Sequence, residues 1–147
     1  MPTEQTALEP FPPAAQSDWF LQRLASLAND DGIEVGITLQ VSGMLVSGVL
    51  VSGAAYFQAI AQNFSEGLAA HADLAQEMKD GIESFSGVYA KGTSSAAPPL
   101  PQYLHLKNAQ FFNTAGVPIP ENQRVWWRGR VSEVGGFTIG QLHAPNA

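Results

Sequence analysis

Apolar and polar side chains alternate cleanly near the start of the chain. Ile33, Val35, Ile37, Leu39 and Val41 are separated by Glu34, Gly36, Thr38, Gln40 and Ser42. A period of two predicts a strand with one apolar face. Ser42-Gly43 then reads as a turn, because glycine takes a positive φ without steric cost. A second apolar run, Met44 to Ser52, returns from it. The tripeptide Val-Ser-Gly recurs at 41–43, 46–48 and 51–53, a spacing of five. An odd spacing sends successive copies to opposite faces of a strand. The glycine in the middle copy, Gly48, therefore predicts a bend or a bulge. The serines lack activating neighbours and do not match a nucleophile elbow.

The same stretch also has to be weighed as a membrane span or a helix. No charged residue occurs from Val35 to Ser65. A spanning helix needs about 20 predominantly apolar residues. The recurring glycines and serines argue against it, since each glycine inside a helix costs on the order of 1 kcal/mol relative to alanine. Two strands fit better.

The flanking segments change period. SDWFLQRLASLANDDG opens on Ser17 as an N-cap and closes on Gly32. Phe20, Leu21, Leu24, Leu27 and Ala28 make one stripe, so a first amphipathic helix is expected there. After Gly53, Phe57, Ile60, Phe64, Leu68, Ala75, Met78, Ile82 and Phe85 recur at helical steps. They predict one long helix, or two broken near Gly67, with the stripe facing a core. Residues 87–101 read as a flexible connector. YLHLKNAQFF alternates again, less cleanly after Leu106. RVWWRGRVSEV and FTIGQL flank Gly135-Gly136, which predicts a two-residue hairpin. That hairpin sets Val134 opposite Phe137 and Val131 opposite Gly140. It puts Trp127 in the core and leaves Trp126 partly exposed on the other face with Arg128 and Arg130.

The expected architecture is α+β. An antiparallel, strongly bent sheet of about five strands, or a small Sm-like barrel, follows an N-terminal helix, with a long helix inserted between strands two and three. A helix before a bent barrel is how Sm-like folds begin, a likeness of pattern only. One domain is expected over 17–143. Residues 1–16, with four prolines, are expected to be a disordered arm, and 144–147 a tail.

Composition adds limits. The 147 residues suit a single domain. There is no cysteine, so disulfides and thiolate metal sites are excluded. Residues 1–16 lack the basic and apolar regions of a signal peptide, so a cytoplasmic protein is expected. The net charge of −6 argues against nucleic acid as the main partner. Its distribution is uneven. Residues 1–90 hold eleven acidic and two basic side chains, a net −9, whereas 91–147 hold two acidic and five basic ones, a net +3. Neighbouring copies could attract each other through these halves; alternatively, the helices simply carry solvated acidic faces.

Candidate chemistry is sparse. His71, His105 and His143 fall on three different elements, so no metal site is expected. No catalytic motif is present, and no cofactor is implied. The candidate partner-binding residues are Trp126, Arg128 and Arg130, joined by Lys107. Tryptophan and arginine are enriched in interface hot spots. The same pairing suits single-stranded nucleic acid, by stacking and phosphate attraction. A third possibility is that Trp126 only covers the outside of the sheet.

Three pieces in order, ITLQVSGMLVSGVLVSGAAYF, YLHLKNAQFF and VWWRGRVSEVGGFTIGQL, resemble the gas vesicle accessory protein GvpU family. The likeness covers roughly Ser17 to Leu142. WRGRVSEVGGFTIGQL is its most specific part and HLKN, His105 to Asn108, the next. The resemblance implies a non-enzymatic cytoplasmic protein that associates with gas vesicles and influences their clustering or assembly. Partners would be the vesicle shell or other gas vesicle proteins, and further copies of the chain. The family supplies no binding motif to carry over. The competing expectation is a small-barrel nucleic-acid binder or scaffold.

Overall fold

A computed structural model of the chain describes residues 17–90, 99–119 and 121–143. The expected arm, the tail and residues 91–98 of the expected connector lie outside these. Helix α1 spans Trp19–Asp31. Its cap is Asp18 rather than Ser17: the Asp18 carboxylate accepts from Phe20 N–H at 2.8 Å. Gly32, at φ 68°, ends the helix by donating its N–H to Ala28 O.

Strands β1 (Val35–Val41) and β2 (Met44–Val51) form the expected hairpin. Ser42 and Gly43 both have positive φ, 52° and 80°, as a two-residue turn between twisted strands requires. Strand β3 (Tyr103–Phe112) pairs with β2 on one side. On its other side it pairs with β5 (Val125–Arg130) and the two-residue β4 (Pro118–Ile119). Strand β6 (Val134–Ile139) pairs with the free side of β1. The sheet is six-stranded and antiparallel, and no ladder among the described residues closes it into a barrel.

The bend expected at Gly48 is there, but the extra residue belongs to β3. Ser47 pairs with Gln110 and Val49 with Lys107. Asn108 supplies the bulge, at φ 53°. Gly48 permits the close approach: a Cβ there would lie 2.8 Å from Lys107 O. The bulge explains why Leu104 and Leu106, then Ala109, all reach one core.

The Gly135-Gly136 hairpin is not formed. Residues 131–133 make a 3₁₀ turn, and β5 and β6 sit at opposite ends of the sheet. The pair instead forms a bulge within β6, where Gln40 pairs with Gly136 and Val41 with Val134. The physical reason is Val131. Its side chain is fully buried and its N–H donates to Gln102 O at 2.9 Å, so the chain turns there. Five flat strands would set the end strands about 19 Å apart. The path from Arg130 to Val134 spans at most about 14 Å. The sheet must curl strongly to let one short turn connect its two ends.

One face of the sheet packs under α1. Leu21, Ala25 and Ala28 meet Ile37, Leu39, Val46, Leu50, Leu104 and Leu106 there. Trp127 is half-buried against this core, with its ring lying over Gly129. Phe20 and Leu27, expected in the stripe, are exposed. Gln22 is buried instead, because its Nε2 donates to Pro101 O at 3.0 Å.

The segment between β2 and β3 is two helices, α2 (Gly53–Gly67) and α3 (Ala72–Ser84), then a 3₁₀ turn over Phe85–Tyr89. Residues 87–89 therefore belong to that turn rather than to a connector. Ser52 Oγ accepts from Ala55 N–H, and Asn29 Oδ1 accepts from Gly53 N–H. The stripe serves the contact between the two helices more than the core. Ala61 and Ala75 are buried, whereas Phe64 and Phe85 are exposed. No helix among the described residues is long and apolar enough to cross a membrane.

Candidate protein-interaction site

Alternation along β5 points Trp126, Arg128 and Arg130 away from α1. Cross-strand pairing sets Arg128 opposite His105 and Arg130 opposite Tyr103. Helix α2 and the turn after α3 cover this face. Arg128 Nη1 donates to Tyr89 Oη and to His105 Nε2, each at 2.6 Å. Its guanidinium carbon lies 3.9 Å from the Tyr103 ring centroid and 5.3 Å from that of Phe57. An arginine is thus held in an aromatic box, with two hydrogen bonds from Nη1 and its charge against ring faces.

The rings also hold each other. His105 lies 4.9 Å from Tyr56 and 5.1 Å from Tyr89, centroid to centroid. Trp126 is half-buried and meets Tyr56 edge-on at 6.4 Å. Gly53 starts α2 directly against the Tyr89 ring: a Cβ there would come within 2.5 Å of it. Arginine can only donate, so His105 Nε2 accepts and the ring proton sits on Nδ1. Burial, and next the adjacent Arg128 charge, lower the His105 pKa from 6.5 to about 3. Burial raises the pKa of Tyr56, with Arg128 opposing.

The four expected site residues do not form one patch. Trp126 and Arg128 share the covered face. Arg130 is exposed at the end of β5. Lys107 binds Glu34 at 2.6 Å, with both side chains partly exposed. Sequence reasoning missed Tyr56, Phe57, Tyr89 and Tyr103, and treated His105 only as a possible metal ligand. The available signal was the alternation that places His105 and Arg128 on the polar side of adjacent strands.

A second polar cluster lies on the same side of the sheet. Leu142 N–H donates to Ser47 Oγ at 2.7 Å, Ser47 and Thr38 hydroxyls bond at 3.0 Å, and Thr38 Oγ1 donates to Gly140 O at 2.8 Å. The middle serine of the Val-Ser-Gly repeat thus ties down the chain after β6. A groove of about 480 Å³ opens beside it, floored by Leu45 and Phe112 and rimmed by Leu142 and His143. No group of three His, Asp or Glu side chains among the described residues is placed to hold a metal ion.

This is an α+β protein with an open, curled sheet, whose most elaborate side-chain cluster joins a helical layer to that sheet. The chain belongs to the GvpU-like family, described as gas vesicle protein GvpU-like, whose model matches residues 18–142. It is therefore a gas vesicle-related protein. No curated protein and no solved structure matches it.

Proposed function

We propose that the protein is a non-enzymatic accessory factor that works in the cytoplasm, self-associates, and binds or clusters gas vesicles. Family membership supports the vesicle link. The observation that carries self-association is the charge of the two layers. Residues 53–90, which form the helical layer, hold five carboxylates and one lysine. Glu66, Asp73, Glu77 and Asp80 are exposed. The β5 side of the sheet presents exposed Arg124 and Arg130. The acidic layer of one copy complements the basic margin of another, with Arg130 and the accessible part of Trp126 as contacts. Arg128 and Lys107 act from behind, by fixing the helical layer and the start of β1. Clustering of particles requires more than one contact per linker, and association of copies supplies it.

A nucleic-acid platform is less well supported, because the Arg128 guanidinium already faces its own rings. Co-flotation of the purified protein with isolated gas vesicles tests the proposal, together with light scattering of the protein alone. Retention on the vesicles and a multimeric free state are expected. A monomer that stays behind when vesicles float would reject it.

A further inference from the structure

The apolar face under α1 does not end where the sheet ends. Ile37 and Ile139 are cross-strand partners on β1 and β6. Ile37 is completely buried, whereas Ile139 is 58% exposed. The core-facing side of β6 is therefore uncovered at its last residue. Around it lies an aromatic group. Phe20 meets Phe137 at 5.7 Å and Trp19 at 5.9 Å between centroids. Trp19 is 67% exposed and Phe20 49%. Beyond β6 no strand follows, so one row of its backbone N–H and C=O groups has no ladder partner among the described residues. The strand reads VGGFTI, with no charge and no proline to guard that edge.

We propose that this edge and its aromatic flank form a two-fold interface with β6 of a second copy. It rests on the self-association proposed above and names its primary contact. An antiparallel pair of identical strands about an axis perpendicular to the sheet keeps each face continuous. The α1-covered faces of both copies then lie on the same side. Ile139 and Phe137 of one copy cover those of the other, and the two Trp19-Phe20 pairs flank the seam. Because β6 carries no charge, no like charges meet across the ladder. Area supports the same occupant. The exposed parts of Trp19, Phe20 and Ile139 together amount to roughly 300–400 Å², given the usual size of such side chains. A stable interface removes about 600–1,000 Å² per partner. Three side chains thus supply a large share, and the strand edge and its flanks add to it. A dimer joined at β6 also presents two acidic layers and two arginine margins, which makes it a bivalent unit for clustering.

The chain has no cysteine, so a single one reports contacts cleanly. Thr138→Cys and Arg130→Cys would each be treated with a short bismaleimide in the full-length protein. Light scattering at low and high salt would follow wild type, Ile139→Asp and Trp19→Ala. The expected result is a Thr138→Cys dimer band absent from Arg130→Cys. Wild type should remain dimeric at high salt, both interface variants should be monomeric there, and Trp19→Ala should keep its thermal midpoint. A wild-type multimer with no Thr138→Cys band and undiminished association of both variants would overturn the β6 interface and leave self-association standing. A wild-type monomer at every salt concentration would overturn both.

Discussion

The two faces of the sheet are held by different physics. Under α1, aliphatic side chains from the helix, three strands and Val131 close an apolar core, and Ile37, Leu39 and Leu106 are wholly buried. On the other face, α2 and the turn after α3 are held through one guanidinium, one neutral imidazole and four aromatic side chains. The first arrangement is non-directional and spread over many contacts. The second is directional and concentrated on Arg128. A layer attached through few directional contacts can loosen without unfolding the sheet, and the acidic surface proposed to meet other copies is on that layer.

Four perturbations separate the faces. Leu106→Ala leaves a cavity in the α1 core and should cost about 3–4 kcal/mol. The expected result is a lower urea midpoint for the whole domain, read by circular dichroism. Arg128→Ala removes the centre of the box and should cost about 2–3 kcal/mol, since buried partners lose their donor. Hydrogen exchange should rise in α2 and α3 first, while β1 and β2 remain protected. Arg128→Lys should not restore it, because an ammonium lacks the planar fork.

The third perturbation is pH. The unfolded chain protonates its histidine near the ordinary value, whereas folded His105 resists until about pH 3. Its contribution is complete above pH 6.5 and is lost as pH falls toward 3, by about 1.4 kcal/mol for each unit in between. Denaturation midpoints measured across this range should show the slope, and His105→Gln should flatten it. Lys107→Ala should have the smallest effect, about 0.5 kcal/mol or less, because its ion pair with Glu34 is partly exposed.

Much of the fold was legible wherever a local signal had one solution. Ser42-Gly43 could only turn, and Gly48 marked the place where another backbone approaches. Gly135-Gly136 carried an equally strong signal and gave a bulge, because burial of Val131 four residues earlier had already turned the chain. Alternation along β5 correctly separated Trp127 from Trp126 and Arg128. It could not show what would cover the second face, since Tyr56 and Tyr89 arrive from helical segments with a different period. Phe20 and Leu27 lay on the expected helical stripe, yet α1 buries Gln22 in preference, because the Pro101 carbonyl offers it a partner.

The most direct test of the proposed role measures the cluster size of isolated gas vesicles by dynamic light scattering as the protein is titrated in, at low and then high salt. The account predicts clusters that grow with protein, shrink as salt screens the contact between acidic layer and arginine margin, and fail to form with Arg130→Glu. Vesicles that stay dispersed at every protein and salt concentration, or clusters indifferent to both salt and Arg130→Glu, would contradict it.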